Sequence, residues 1–275
     1  MRLLLIGCLA LTLVLSISCG PTQSDPLPAP AIRIESTPGG ETGPGTVSPL
    51  EDNLIAEMPV HEPTTTPPQN EVEGKIQLDT ICSPLGMHPL EELPQIISDP
   101  YKPPPPNRPE ERHHGVDFSY WHYRDRDSML GEPVQAILPG TVASVIRDLY
   151  PYGNMVIIET TRQDLPGRLI AELHFGEGES LYHLYAHLNL PPAVRLRERV
   201  EACQSLGEVG MTGNTDIPHL HLETRIGPAG TIFESMRFYD TRATIAEMEA
   251  YKRWRTSGEF RHFDPMILLT FPTQP

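Results

Sequence analysis

Three short stretches of this 275-residue chain set histidines and carboxylates at spacings that could do chemistry: HHGVDF at 113–118, YAHL at 185–188 and PHLHLE at 218–223. On a β-strand, residues two apart face the same way, with Cα atoms about 6.5–7 Å apart. His219 and His221 at that spacing could divide two tasks. One imidazole could bind a metal at about 2.0–2.1 Å while the other faces the metal's water. Leu220 and Leu222 would then point the opposite way, into a core. His113 and Asp117 form H-x-x-x-D, a nitrogen and an oxygen donor suited to zinc. On a flat strand their Cα atoms would lie about 13 Å apart, so the chain must bend between them. Gly115 permits a bend, and His114 is a competing ligand. Two histidines and one carboxylate with an open fourth position form a catalytic rather than a structural zinc pattern.

These residues need strands and turns to hold them. HHGVDFSYW, PVQAILPGTVASVIRD, YGNMVIIET, SLYHLYAHL and IPHLHLETRI read as β-rich runs, the second broken at Pro139-Gly140. RLIAELHF is expected to pair with YGNMVIIET as a hairpin around Leu165–Gly167, and KIQLDTICSPL to form a short strand. TRATIAEMEAYKRW, between Thr241 and Trp254, has helical spacing and good helix formers. The expected fold is mainly β: an antiparallel sheet domain over residues 76–275 with one C-terminal helix in an insertion. Pro103 to Pro106 force an extended segment laid across the domain surface.

The rest of the chain bounds the setting. All eighteen aromatic residues lie at or beyond Tyr101. Residues 20–75, rich in Pro, Thr, Ser and Gly, cannot bury enough apolar area to offset chain entropy and read as a disordered tether. Residues 1–19 read as a signal peptide, with Arg2, an apolar run and small residues before a cut. Leu3 to Ile17 is short for a membrane span, which needs about 20 apolar residues. Cys19-Gly20 resembles a bacterial lipoprotein signal, with Ser16 where an aliphatic residue is usual, so Cys19 is a candidate lipidation site. Export would put Cys82 and Cys203 in an oxidising compartment, where two leftover cysteines suggest one disulfide. The formal net charge of −15 argues against a nucleic-acid partner. It leaves the membrane reachable only through the candidate lipid anchor. No feature specifies an oligomeric state.

Taken in order, HHGVDF, PVQAILPGTV, YGNMVIIET, LYAHL, GMTGNTDIPHLHLETR and FDPMILL resemble the lysostaphin-type (LytM-like) zinc metallopeptidases of bacterial cell walls. The resemblance spans roughly residues 110–227 plus Phe263–Pro265. It implies an antiparallel sheet flooring a narrow substrate groove, a Zn2+ cofactor and a peptidoglycan peptide as substrate. It further implies that His113, Asp117 and His221 are the zinc ligands, His219 the general base and His187 a second catalytic histidine that helps stabilise the oxyanion. Tyr185, two residues before His187, is a candidate groove residue or a packed aromatic. Cys203 stands where the family usually has Gly in a V-x-x-G turn, which fits a bond to Cys82. Insertions at Thr161–Ser180 and Gly230–Arg261 are expected to border the groove.

The implied function is hydrolysis of peptide bonds in peptidoglycan cross-bridges or stem peptides by an extracytoplasmic metalloendopeptidase of the bacterial envelope, lipid-anchored or secreted. The alternative is a non-catalytic or regulated wall-binding or activator module of the same fold. Some relatives of that kind lack zinc ligands, whereas here the ligand set is complete. A closed structural zinc site would need four protein ligands, and only three form a consistent set.

Overall fold

Alternation along the strands explains how this domain builds two apolar layers around one sheet. A computed structural model describes residues 81–272. The signal-like segment with Cys19, the linker 20–75 and the first residues of the expected domain lie outside that range. Ten strands are present among the described residues: β1 (Ile97–Asp99), β2 (Val116–Phe118), β3 (Pro133–Gln135), β4 (Gly140–Leu149), β5 (Gly153–Thr160), β6 (Glu179–Leu188), β7 (Arg199–Val200), β8 (Ser205–Glu208), β9 (Leu220–Pro228) and β10 (Arg261–Phe263). The main sheet runs β1-β2-β9-β6-β5-β4-β7, with β10 also paired to β9, and β3 and β8 form a separate ribbon. The pairings are antiparallel, so the expected mainly β, antiparallel fold is observed.

On one face of the sheet, Val156, Ile158, Leu181, Tyr185, Leu220 and Leu222 enter the larger core. On the other, Met155, Ile157, Tyr182, Leu184 and Ala186 pack beneath Phe233, Tyr251, Trp254 and Phe260. The second layer comes from the C-terminal insertion. Its helix α2 (Ile245–Arg255) starts with a capping box, in which Thr244 and Glu247 bond each other's backbone N–H. Tyr251 and Trp254, three apart, supply its buried face.

Two local expectations change. RLIAELHF is not a hairpin strand: Gly167–Glu172 is the short helix α1, buried at Leu169. Leu, Ala and Glu prefer helix, and β5 already has β4 and β6 as its two partners. The described part of KIQLDTICSPL, from Ile81 onward, makes only an isolated bridge, Leu85 to Val134. The tail folds as α3 (Pro265–Leu269), with Asp264 accepting from the Met266 N–H at its start. Residues 103–105 have no regular structure.

Cys82 and Cys203 are joined by a disulfide across 121 residues of chain, with Cα atoms 5.4 Å apart. Cys203 has φ +62°, the left-handed region that a glycine would enter without cost. That conformation explains why the related turn favours Gly at this place. No described helix is long and apolar enough to cross a membrane.

Candidate metal centre

The donors converge because β2 and β9 are neighbours in register. Asp117 pairs directly with His221, flanked by Val116–Leu222 and Phe118–Leu220. Residues opposite each other in this way bring their Cβ atoms to about 4.5–5.5 Å. His113 reaches the pair from the bend before β2, where Arg112 adopts φ +72°. The chain bends at His114–Gly115 as expected, and Gly115 has a second purpose. A Cβ there would stand 2.4 Å from the Leu222 carbonyl oxygen and 3.0 Å from the His221 ring. Glycine is therefore needed for close approach to β9.

The result is a compact donor set. Nε2 of His113 lies 3.0 Å from Oδ1 of Asp117 and 3.1 Å from Nδ1 of His221, and that Nδ1 lies 2.7 Å from the same Oδ1. Donors bound tetrahedrally to zinc at about 2.0–2.1 Å would stand roughly 3.3 Å apart, so the set needs only slight opening to accept the ion. Two nitrogens and a carboxylate oxygen also suit zinc chemically. His114 is not part of the set. Its ring is buried, stacks on His262 at 4.5 Å, and contacts Arg225 and the Glu111 carbonyl.

His219 and His187 complete the centre. His219 precedes β9, bridged to Gly210, with Nε2 3.7 Å from Oδ2 of Asp117. Its Nδ1 lies 3.0 Å from the Ile217 carbonyl and 3.2 Å from the Thr215 hydroxyl. The His187 ring is 4.6 Å from that of His219, and its Nδ1 is 2.7 Å from the Thr212 carbonyl. The Thr212–Thr215 turn sits tightly on the β4–β5 turn. Gly213 (φ +80°) passes so close that a Cβ would stand 2.4 Å from the Pro151 carbonyl.

Tyr185 does not line the groove. It is fully buried in the larger core, where its hydroxyl accepts from the Ile137 N–H at 2.8 Å and meets Nδ1 of His183 at 2.8 Å. Tyr185 and His187 are two apart yet face opposite sides. β6 carries an extra residue between its pairings to Val156 and Asn154, and His187 has φ +62°. Such a bulge re-aims a side chain.

One group of residues escaped the sequence reading although its signal was present. The period of two that aligns His219 with His221 continues to Glu223 and Arg225. Glu223 is fully buried, with Oε1 3.1 Å from Nε2 of His221. It accepts from the Tyr152 hydroxyl at 2.7 Å, the Trp254 indole at 3.0 Å and the Arg225 guanidinium at 2.7 and 2.8 Å. A carboxylate behind a metal-ligating histidine fixes its ring and tautomer. Tyr152 and Trp254 could not be inferred, because they reach Glu223 from distant segments.

Electrostatics favour a cation at the donor set. Burial raises the Asp117 carboxyl, but the His113 and His221 rings outweigh it and hold the group well below the ordinary carboxylate range. Burial likewise raises Glu223, and Arg225 and His221 outweigh it, leaving it well below its usual value. Burial lowers His221, but Asp117 and Glu223 raise it further, to about 9. The two catalytic candidates differ: burial pushes His187 down to about 3 and also lowers His219. His113, Asp117, His187, His219 and His221 line one cavity of about 470 Å³. Tyr239, Tyr251 and Arg255 of the 230–261 insertion border it, whereas no residue of the 161–180 insertion lines it.

The sheet and donor set define a candidate metal centre. Residues 111–231 match the model described as Peptidase family M23. The resemblance read from the motifs is thereby borne out over that segment. No curated protein matches the chain. Among solved structures, the chain is similar to the catalytic domain of the antimicrobial peptidase lysostaphin from Staphylococcus simulans. Identity is 21%, TM-score 0.38, and the match covers 67% of this chain and 99% of that one. It is also similar to the catalytic domain of the prophage-encoded M23 protein EnpA from Enterococcus faecalis (23%, TM-score 0.34, covering 50% and 87%). A zinc-containing peptidase from Vibrio cholerae is 24% identical with a TM-score of 0.32. That match covers 46% of this chain and 32% of the Vibrio chain.

Proposed function

We propose that this protein is a zinc-dependent metalloendopeptidase of the bacterial cell envelope that hydrolyses peptide bonds in peptidoglycan cross-bridges or stem peptides. The observation that carries this reading is the convergence of His113 Nε2, Asp117 Oδ1 and His221 Nδ1 beside His187 and His219 in one cavity. The segment that holds them is also the one that matches the peptidase family. His113, Asp117 and His221 would hold the metal, which when bound supplies a Lewis acid for water and for the peptide carbonyl.

The chain's own groups handle the protons. His219 Nδ1–H donates to the Ile217 carbonyl, which leaves the lone pair on Nε2. Burial lowers this ring's pKa, so Nε2 is free near neutral pH to take a proton from the attacking water. The C–N bond then breaks and the proton passes to the leaving amine. His187 Nδ1–H is likewise committed, to the Thr212 carbonyl. Its neutral ring therefore presents an acceptor at Nε2, and it donates to the oxyanion only once that nitrogen is protonated. The His187 and His219 rings lie 4.6 Å apart, centroid to centroid. Glu223 keeps Nδ1 of His221 turned toward the donor set.

In this reading residues 1–19 export the chain, Cys19 carries the lipid and 20–75 is the tether. Two measurements test the proposal. Metal analysis of the purified protein should find about one zinc per chain, as for a single catalytic site. Digestion of purified peptidoglycan of several cross-link types should release fragments identifiable by mass. A protein without metal, or digests without fragments from any wall type, would overturn it.

A further inference from the structure

Arg255 ends α2 and, among the described residues, is the only Arg or Lys lining the cavity that holds the donor set. Its side chain is 15% exposed. Nη2 donates to the carbonyl of Arg112, the residue before His113, at 3.2 Å. Among the described residues, the carboxylate that comes within ion-pair distance of Arg255 is Glu223, with Oε1 at 3.7 Å from Nη1. That carboxylate is already committed. Arg225 grips its Oε2 twice, at 2.7 and 2.8 Å, Trp254 donates to the same oxygen, and Tyr152 and His221 meet Oε1. Arg255 also donates to the Tyr152 hydroxyl, so it brings a permanent charge and five donors to the cavity with two neutral oxygens bonded and no carboxylate of its own.

The surroundings narrow what it faces. Tyr239, 65% exposed, and Tyr251, which stacks on Phe238 at 4.8 Å, line the cavity alongside it. Asp99 also lines the cavity, but it is paired with Lys102 and lies 3.5 Å from His113 Nδ1. A partly buried cation with aromatic rings in the same cavity suits a planar anion that can accept two parallel N–H bonds.

We propose that Arg255 is a specificity residue that binds a free carboxylate on the substrate beside the scissile bond. This rests on the peptidase reading above and deepens it: the preferred substrate is an acidic wall peptide rather than an uncharged bridge of glycines. The carboxylate can be a chain-terminal group or a side-chain group, and both are the same ligand to a guanidinium.

The test uses zinc-loaded protein and pairs of peptides that differ in one charge. One pair ends in a free acid or an amide; the other carries Glu or Gln beside the cleaved bond. Wild type should favour the acid of at least one pair on the order of 10- to 100-fold, mainly through KM, the size of one charge-assisted contact. Which pair responds identifies the source of the carboxylate. Arg255→Gln should bring that ratio near one with zinc content intact, and Arg255→Lys should keep part of it. Equal handling of both members of both pairs by wild type overturns the proposal, as does a preference that survives Arg255→Gln. Should that variant not fold, an Arg255→Lys protein with the full wild-type ratio overturns it instead. If zinc is bound but no peptide is cut, the peptidase reading fails separately. Calorimetric binding of the same pairs then decides the carboxylate question: a preference for the acid sustains the site and its absence removes it.

Discussion

Strands β9 and β6 lie side by side and teach opposite lessons about reading a site from sequence. β9 keeps strict alternation, so Leu220, Leu222 and Ile226 enter the core while His221, Glu223 and Arg225 line the other face. β6 alternates only as far as Ala186. Leu181 and Tyr185 share the larger core, whereas after the bulge it is Leu188 that returns to it and His187 that turns to the metal centre. The period of two is a property of the pleated backbone. It fails where one left-handed residue resets the phase.

The comparison can be broken by substitution, beginning with the face of β9. His221→Ala or Asp117→Ala should abolish zinc retention, an effect beyond the roughly 10–100-fold typical of losing an outer-shell partner. Competition with a chelator measures it, and a variant that still holds zinc tightly would refute the assigned ligand set. His219→Ala should keep the metal and lower hydrolysis on the order of 10²–10⁴-fold, the usual worth of a general base. Loss of zinc together with activity would make His219 a ligand and spoil the division of tasks between the two histidines.

Glu223→Ala should act through stability. It strands Arg225, the Trp254 indole and the Tyr152 hydroxyl in a buried site, and removing one partner of a buried pair costs about 3–5 kcal/mol. Denaturant unfolding reads this out, and an unchanged midpoint would mean that the network is not a fixed unit. The smallest expected effect belongs to β6. Tyr185→Phe deletes the hydroxyl that bonds Ile137 and His183, at a cost of about 1–2 kcal/mol, with zinc content and turnover unchanged. A selective loss of turnover would return Tyr185 to the groove.

Much of the centre was legible because its residues report locally. H-x-H on a strand needs only the pleat to share a face, and H-x-x-x-D needs only a bend to bring its two donors together. Even there the second role of Gly115 was not legible. It is set by the Leu222 carbonyl, more than 100 residues away in sequence. The RLIAELHF segment was misread because its pairing edge was already taken. A strand's partners are a fact of the sheet, not of the segment.

The amino-acid sequence by itself determined the donor types, their period and order, the position of the late helix and the two cysteines available for a bond. These follow from local backbone geometry and side-chain chemistry. Tertiary structure alone decided that Asp117 stands opposite His221, that His114 turns away, that His187 leaves the face of Tyr185, and that Trp254 and Arg255 come back from the insertion to the centre. Each of those depends on strand register or on contacts between distant segments, and no local spacing encodes either.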